Sequence, residues 1–529
     1  MRLINFFPTL LLAVERASSL ELGHAHRARS GSIQWSPCLA ELNGTVPMQC
    51  GNLSVPLDYT RTLSNASFVL DVFRTPATKQ PSRGSIFLNF GGPGADGRAD
   101  LSAFAPQLLA ATGSEFDLVS WVPRGTGVNT SLELTCFGSD LERVFALAYT
   151  FPITSGNASN AAPGAIWADS TIFSDNCLST LNRTGGFVGT AFAVRDMMSI
   201  LDALGEDGML RYWGISYGTA LGSTAISMFP EKVDKVILDG VVNPHEYYHN
   251  YEPESLTDAD KVFSGFCHGC VNNPTNCVLA RNQTGDELEE EIYAYLEDLK
   301  FNPIPISYPG GGMVVDYSLL KTTIYNRMYY PFLWPLLAAD LNSFITGNLT
   351  AIAEFYTTFL STPATGAPDA LPGIKCSDKI ARATSREDPL LVEGLQGRYK
   401  SRIGGDVADT TIVRCATWRM DAVEQYTGDF HVQTKNPVLL IGNTADPVTP
   451  LVSAHNASAG FEGSVVLQQD SFGHTSWIQA SLCTARATRA YFINGTLPAP
   501  GTICPIDATL FSGLQGWEEV IPVLLSEEN

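Results

Sequence analysis

Arg211-Tyr-Trp-Gly-Ile-Ser-Tyr-Gly-Thr219 is the stretch that decides the fold, because Gly214, Ser216 and Gly218 in it spell G-x-S-x-G. A serine on a sharp turn between a strand and a helix has strained backbone angles, and glycine on both sides lets the chain pass closely. The pattern alone is weak, since a chain this rich in glycine contains it by chance about 0.3 times. The surrounding sequence therefore has to decide.

The segments on both sides of this stretch supply a consistent setting. Thr190 to Leu204 places apolar residues at helical spacing. After the serine, a helix is predicted from about Thr219 to Met228, where Phe229-Pro230 ends it. Lys235 to Gly240 then has the composition of a second buried strand. Helix, strand, serine turn, helix and strand is the order that the pattern requires, so we predict a catalytic nucleophile in the turn.

Two further regions carry groups that acyl transfer needs. A predicted strand runs directly into Gly91-Gly-Pro-Gly94, and exposed N–H groups in such a loop can form half of an oxyanion hole. We therefore predict an oxyanion hole from Gly91, Gly92 and the N–H of Tyr217. Asp446 follows a predicted strand, and His474 lies on the loop after the last strand. Serine, aspartate and histidine in this chain order are typical of an α/β-hydrolase.

The alternation of strands and helices stops between Val242 and about Val413, where helix-like runs and the proline-rich and glycine-rich segment Phe301 to Gly312 replace it. We predict an α/β-hydrolase fold, a mostly parallel sheet flanked by helices, with a large helical cap inserted after the sixth strand. The predicted divisions are a signal peptide at 1–19, the first part of the core at 32–243, the cap at 244–413 and the last part of the core at 414–529.

Composition and sequons indicate export. The net charge of -21 argues against nucleic acid and anionic membrane surfaces as partners, and no apolar run after the N-terminus is long enough to span a bilayer. A short apolar N-terminal region followed by small residues predicts a cleaved signal and secretion. The acceptor pattern N-x-[ST] predicts glycosylation at ten asparagines, namely Asn43, Asn52, Asn65, Asn129, Asn157, Asn182, Asn282, Asn348, Asn456 and Asn494.

Eleven cysteines in an exported chain predict five disulfides and one free thiol. Proximity in sequence favours four pairs, which are Cys38 with Cys50, Cys136 with Cys177, Cys376 with Cys415, and Cys483 with Cys504. Cys267, Cys270 and Cys277 then supply the fifth bridge and the odd thiol, and a zinc knuckle is the alternative for these three.

A second catalytic pattern competes with the serine. His245-Glu-Tyr-Tyr-His249 is an H-E-x-x-H string, which on a helix would offer His245 and His249 to zinc and Glu246 as general base. Pro244 and Pro253 leave barely two helical turns, so we favour a hinge of the cap in which Glu246 meets a substrate amine.

Taken together, several motifs resemble the tripeptidyl aminopeptidase and prolyl aminopeptidase group of α/β-hydrolase serine peptidases, most closely the secreted tripeptidyl type. The likeness runs from about Cys38 to Cys504. It is carried by Gly91-Gly-Pro-Gly94, Pro123-Arg-Gly-Thr-Gly127, Gly214-Ile-Ser-Tyr-Gly218, Asp446-Pro-Val-Thr-Pro450 and Gly473-His474. Val122 and Phe90 depart from the group, which usually has aspartate at the first position and His or Pro at the second.

The resemblance implies an exopeptidase that releases short pieces from free peptide N-termini, with Ser216 as nucleophile, Asp446 as acid and His474 as base. It implies no metal and no organic cofactor. An esterase or a hydrolase of secondary metabolites on the same fold is the alternative, and a binding module that has lost catalysis is a further one. The oligomeric state is left open by the sequence.

Overall fold

A computed structural model describes residues 31–38, 46–61, 66–128, 130–149, 154–308, 311–360, 367 and 369–527. The predicted signal peptide lies outside the described residues, as do the sequons at Asn43, Asn65 and Asn129. The strands are β1 Ser36–Pro37, β2 Gln49–Pro56, β3 Ser67–Thr75, β4 Ser85–Asn89, β5 Asp117–Trp121, β6 Leu210–Ile215, β7 Val233–Asp239, β8 Ile304–Tyr308, β9 Gly311–Val315, β10 Leu439–Ala445, β11 Val465–Phe472 and β12 Ile503–Pro505.

The α-helices fall between and after these strands. They are α1 Gly97–Ala111, α2 Asp140–Tyr149, α3 Ala162–Leu181, α4 Thr190–Leu204, α5 Tyr217–Met228, α6 Pro244–His249, α7 Ala259–Asn272, α8 Gly285–Leu299, α9 Tyr317–Met328, α10 Trp334–Thr346, α11 Leu349–Leu360, α12 Ala370–Asp378, α13 Pro389–Arg398, α14 Asp409–Thr417, α15 Leu451–Ser458, α16 Leu482–Asn494 and α17 Trp517–Ser526.

One ten-stranded sheet forms the centre, in the order β1-β2-β3-β5-β4-β6-β7-β10-β11-β12. The pairs from β1 to β3, and β3 with β5, are antiparallel, whereas all pairs from β5 through β4 to β12 are parallel. Every residue of β4 and β6 is buried, as expected when helices cover both faces of a parallel sheet. The predicted α/β-hydrolase fold is confirmed.

Alternate residues of the central strands enter two separate cores. Ile86 and Leu88 of β4 pack with residues of α1, α16 and α17, whereas Phe87 lies on the opposite face with residues of α4 and α5. Because successive side chains of a strand point to opposite faces, a strand covered on both sides is apolar throughout. The helix α5 is therefore fixed against the sheet directly behind Ser216.

The Pro123-Arg-Gly-Thr-Gly loop supports the sheet below the site. Arg124 is fully buried, and its Nε donates to Asp196 Oδ2 at 2.6 Å. Its Nη1 donates to the carbonyl oxygens of Leu57 and Phe187, both at 3.0 Å. A buried guanidinium needs such complete pairing, so this motif is structural.

The cap is inserted between β7 and β10. Its strand of departure, which is the sixth when counted from the sequence, is β7 in the structure because the two-residue strand β1 precedes the others. The residues from Leu256 to Ile352 build a hydrophobic core of their own, joined by Ala445 and Phe511 of the main domain. Within the cap, Phe301 to Gly312 is not irregular throughout, because β8 and β9 form an antiparallel pair across it.

The predicted end of the cap at residue 413 falls inside α14, which runs from Asp409 to Thr417. The helix is tied to α12 by the disulfide between Cys376 and Cys415. A boundary cannot divide one helix, so we place the proposed end of the cap after Thr417.

All four predicted disulfide pairs are present, and Cys270 pairs with Cys277 as the fifth. Cys267 is the buried free thiol. The zinc-knuckle alternative is wrong for this trio, because two of its three sulfur atoms are bonded to each other.

The described sequons differ in exposure. Asn52 is half-buried on β2, and its side-chain amide donates to Asp71. The other six are exposed, namely Asn157, Asn182, Asn282, Asn348, Asn456 and Asn494. None of the described helices is both long and apolar enough to cross a membrane.

Candidate active site

Ser216 occupies a sharp turn between β6 and α5. Its backbone angles are φ 57° and ψ −124°, a region that a non-glycine residue adopts only at a cost. A Cβ at Gly214 would lie 2.2 Å from the Gly218 carbonyl oxygen, and one at Gly218 would lie 2.3 Å from the Asn89 carbonyl oxygen. Both glycines are therefore required by close backbone contacts, and the strained serine is half-buried beside a cavity.

Asp446 and His474 meet at the carboxyl ends of β10 and β11. His474 Nδ1 lies 3.0 Å from Asp446 Oδ2 and 3.1 Å from Oδ1. The carboxylate is fully buried, whereas the imidazole is 13% exposed. This is the contact by which an acid holds the tautomer and orientation of a catalytic histidine.

Backbone and hydroxyl donors keep the Asp446 carboxylate charged. The N–H groups of Val448 and Thr449 donate to Oδ1, both at 2.9 Å, and that of Thr475 donates to Oδ2 at 3.0 Å. Burial by itself would raise the pKa of Asp446, but His474 and these donors lower it below its ordinary value. The aspartate is thus an anion at neutral pH.

Thr449 adds a contact that the sequence did not reveal. Its hydroxyl donates to Asp446 Oδ2 at 2.7 Å and lies 3.1 Å from His474 Nδ1. Thr449 also lines the cavity together with Ser216. The hydroxyl therefore links the acid–base pair to the space where a substrate would lie.

Asp239, at the end of β7, connects the nucleophile turn with the histidine loop. Its carbonyl oxygen accepts the N–H of Ser216 at 2.9 Å, and its side chain accepts the N–H and the hydroxyl of Ser476. Burial raises the pKa of Asp239 to about 6, although the donors from Ser476 oppose this shift. This role could not be predicted from the sequence, because an aspartate at a strand end has no fixed spacing to its partners.

The cap also holds the histidine loop. The N–H of His474 donates to the Tyr329 carbonyl oxygen at 3.0 Å, and the two rings meet edge to face at 5.0 Å. Gly473 has φ 92°, and a Cβ there would lie 2.5 Å from Pro331. The segment after α9 is therefore packed directly on the loop that carries the base.

The predicted oxyanion donors are only partly supported by the geometry. Gly91 packs on the turn, since a Cβ there would lie 2.9 Å from that of Ser216, but its N–H already donates to Asn89 Oδ1 at 3.1 Å. Gly92 and Tyr217 line the cavity with Ser216, and Tyr217 is the first residue of α5, where N–H groups lack partners within the helix. Gly91 therefore shapes the loop, while Gly92 and Tyr217 fit the donor role.

The cavity beside Ser216 has a volume of about 100 Å³ and lies between the main domain and the cap. Glu246 lines it from α6, and Glu252 and Glu254 follow on the same segment. Burial, followed by the charge of Glu254, raises the pKa of Glu246 to about 7. The structure thus places this predicted substrate-binding residue in the same cavity as the serine.

The H-E-x-x-H string does not form a metal cluster in the structure. The helix α6 has six residues, and the rings of His245 and His249 stack on each other at 4.6 Å. Across the described ranges, no group of three or more His, Cys, Asp or Glu side chains is arranged to hold a metal ion.

Comparisons with known proteins fit this arrangement. Residues 401–504 match the family described as TAP-like protein. Serine protease Hip1 of Mycobacterium tuberculosis is 28% identical over 492 residues, which cover 89% of this chain and 91% of the relative. Tripeptidyl aminopeptidase of Streptomyces lividans is 25% identical over 505 residues, covering 92% of this chain and 89% of the relative.

Carboxylesterase B of Mycobacterium tuberculosis is 26% identical over 495 residues, with 89% of each chain covered. Among solved structures, a serine hydrolase from Cycloclasticus zankles aligns over 84% of this chain and 98% of its own, with 14% identity and a TM-score of 0.33. The resemblance predicted from the motifs is confirmed by the sequence relatives, and the chain is a serine hydrolase related to the TAP-like α/β-hydrolase peptidases.

Proposed function

We propose that the protein is a secreted exopeptidase that releases short peptides from free N-termini, with Ser216, Asp446 and His474 as its catalytic residues. The observation that carries this proposal is the cavity in which Ser216 faces cap residues bearing carboxylates. A cap over the nucleophile limits access to chain ends, and a carboxylate there suits an α-ammonium group. The similarity to the tripeptidyl aminopeptidase of Streptomyces supports the same activity.

In the proposed reaction His474 takes the proton of the Ser216 hydroxyl while the serine oxygen attacks the scissile carbonyl carbon. The N–H groups of Gly92 and Tyr217 stabilise the oxyanion, and Asp446 stabilises the imidazolium. The C–N bond then breaks, the leaving amine takes the proton from His474, and an acyl-enzyme remains. Water, deprotonated by His474, releases the peptide and restores the serine. No step in this sequence requires a metal or an organic cofactor.

Glu246 is the proposed anchor for the substrate amine. Its Oε2 accepts the N–H of Glu254 at 3.2 Å, which fixes the carboxylate at the wall of the cavity. The oxygens of Glu254 are already bound by the side chains of Asn243, Ser453 and Asn456. Of these two acids, Glu246 is therefore the one with bonding capacity left for a ligand.

Export remains part of the proposal. Five disulfides require an oxidising compartment to form and persist. We propose that the N-terminal 19 residues are the signal and that the sequons, most directly the six exposed ones, carry glycans. Mass spectrometry of the mature secreted protein, before and after enzymatic removal of N-glycans, tests both statements.

One peptide library, offered with free and with acetylated N-termini, tests the activity. We expect mass spectrometry to find short N-terminal fragments from the free set only. Inertness toward both sets would overturn the peptidase proposal, provided that a fluorophosphonate probe still labels Ser216. Hydrolysis of simple esters in that case would assign the protein an esterase role, which the similarity to carboxylesterase B makes the second candidate. A folded protein that the probe does not label would be a binding module.

A further inference from the structure

The cavity beside Ser216 has a basic wall that the proposed reaction does not use. Lys375 lines it from α12 and Arg398 from the end of α13, with Glu252 also at the surface of the cavity. Lys375 Nζ donates to Glu252 Oε2 at 2.6 Å, and Lys379 Nζ donates to Oε1 at 3.4 Å. Glu252 therefore forms ion pairs with two lysines through a single carboxylate.

Arg398 is the cation whose charge is least compensated. It is 5% exposed, and its Nη1 donates only weakly, to the carbonyl oxygens of Tyr251 at 3.4 Å and Glu252 at 3.3 Å. Its Nε is buried without an acceptor, and in the part of the chain that the structure describes Arg398 forms no salt bridge. Glu252 and Asp409 act on this desolvated guanidinium only through longer-range charge, and no carboxylate of the described residues bonds to it directly. Arg398 therefore has bonding capacity left for an anion.

The pKa of Glu252 shows how strongly the neighbouring cations act on this carboxylate. Burial would raise the pKa of Glu252, but Lys375, Lys379 and Arg398 lower it to about 2. Glu252 is therefore ionised at any physiological pH and neutralises one of the three positive charges. Two of these cations, Lys375 and Arg398, line the cavity.

The same cavity is also lined by groups of the other sign, the carboxylates of Glu246 and Glu254. A ligand that complements both sets of charges must carry an ammonium group and a carboxylate within a few residues of each other. Peptides with a free N-terminus supply the ammonium group, and an acidic side chain supplies the carboxylate.

We propose that Lys375 and Arg398 bind a carboxylate side chain in the acyl segment of the substrate, so that the preferred substrates carry Asp or Glu among the residues released. This inference rests on the proposed function, because it places the α-ammonium group at Glu246 and the scissile carbonyl at Ser216. Arg398 and Lys375 then determine specificity without taking part in bond cleavage.

The test uses C-terminally amidated peptides with free N-termini that have Glu or its neutral isostere Gln at each of the first three positions. At one position we expect kcat/KM to be about tenfold or more higher for Glu, because hydrogen bonds to charged groups are the strong ones. Arg398→Gln and Lys375→Met should each remove this preference, because kcat/KM falls much further for the Glu peptide than for the Gln peptide. Arg386→Gln is the matched control, since Arg386 is half-exposed on the cap and does not line this cavity.

Equal kcat/KM for Glu and Gln peptides at all three positions would overturn the inference, as would a preference that survives both substitutions. If Arg398→Gln fails to fold, Lys375→Met still tests the proposal. Glu252 remains paired with Lys379 in that variant, so we expect the variant to fold.

Binding to the inactive Ser216→Ala chain, measured by calorimetry, separates this inference from the proposed function. If the wild-type protein cleaves no peptide but the Ser216→Ala variant binds the Glu peptide more tightly than the Gln peptide, the carboxylate-binding role of Lys375 and Arg398 is supported and the exopeptidase proposal is overturned. If binding requires a free C-terminus and has the same affinity for Glu and Gln peptides, Lys375 and Arg398 bind a terminal carboxylate. That result would overturn their assignment to an acidic side chain.

Discussion

The two sides of the cavity are built in different ways. On the reaction side, Ser216, Asp446 and His474 stand at the ends of parallel strands, and each is held by hydrogen bonds from or to backbone groups. On the recognition side, Glu246, Lys375 and Arg398 come from three separate helices of the cap. Each is held by the segment from Tyr251 to Glu254, Lys375 by an ion pair and the other two by hydrogen bonds to backbone groups. The proposed catalytic residues thus depend on the strands of the sheet, whereas the proposed recognition residues depend on one short segment of the cap.

This difference teaches which changes each side tolerates. A glycine such as Gly214 or Gly218 has no substitute, because a Cβ would overlap backbone atoms that cannot move away. The ion pairs of the cap can be exchanged for other side chains without disturbing the sheet, so substrate preference can change while the reaction is kept. Substitutions on the reaction side should therefore lower turnover for all substrates, and those in the cap for some.

Ser216→Ala would test the reaction side most severely. We expect kcat/KM to fall by about 10⁵-fold to 10⁶-fold for every substrate, because the nucleophile is lost and no other group replaces it. Ser223→Ala is the control, since Ser223 lies buried on α5, the helix that follows Ser216, and its hydroxyl has no partner in the described structure. Equal losses in both variants, measured in steady state, would contradict the assignment of Ser216.

Asp446→Asn and Asp239→Asn compare the acid with the residue that positions the loop. The first should lower kcat by about 10⁴-fold, because the amide favours the wrong tautomer of His474. The second should lower it by about tenfold to a hundredfold, because it only loosens the loop through Ser476. A larger loss for Asp239→Asn than for Asp446→Asn, at matched thermal stability, would exchange the two roles.

Glu246→Gln should separate recognition from reaction. We expect KM to rise about tenfold for peptides with a free N-terminus, because a charged hydrogen bond to the ammonium group is lost, and kcat/KM for a simple ester to stay unchanged. An unchanged KM for the free-amine peptide would remove Glu246 from the binding site.

The pH dependence of binding follows from the same carboxylate. Glu246 has a pKa of about 7, raised by burial and by Glu254, with Glu252 adding to the rise and Lys379 opposing it. Because the ionised form binds an ammonium group, 1/KM for free-amine peptides should increase as the pH rises through 7, until the substrate amine itself loses its proton near pH 8. Glu246→Gln should abolish this ascending limb, which Michaelis kinetics at closely spaced pH values would show.

Cys267→Ala should have the smallest effect of these changes. Burial raises the pKa of the Cys267 thiol well above its ordinary range, so the thiol is unreactive in the folded protein. We expect the activity of the variant to remain unchanged. After denaturation without reduction, a thiol reagent should detect one free thiol in the wild-type chain and none in the variant. Two or more thiols in the denatured wild-type protein would contradict the disulfide pairing.

The sequence predicted the reaction side far better than the recognition side. Ser216, Asp446 and His474 follow strands with strong apolar patterns, so their order and spacing predict where parallel strand ends bring them. Four disulfides were also predictable, because their partners are near in sequence.

The rest depends on contacts between distant segments. Arg398 and Lys375 belong to no motif, and they share a cavity with Ser216 only after the cap has folded. The hydrogen bond from the Gly91 N–H to Asn89 Oδ1 depends on local backbone geometry, which cannot be predicted from the residue types. The pair β8–β9 was missed because proline and glycine obscure strand periodicity.

The hydrogen bond from the His474 N–H to the Tyr329 carbonyl has a consequence for the passage of substrate. Any swing of the arm formed by α9 and Pro331 would pull the base away from Asp446, because Pro331 also rests on Gly473. We therefore expect this segment of the cap to stay in place while substrate binds and product leaves. Substrate should then enter and leave on the side formed by α6, α12 and α13, past the charged residues that line the cavity there.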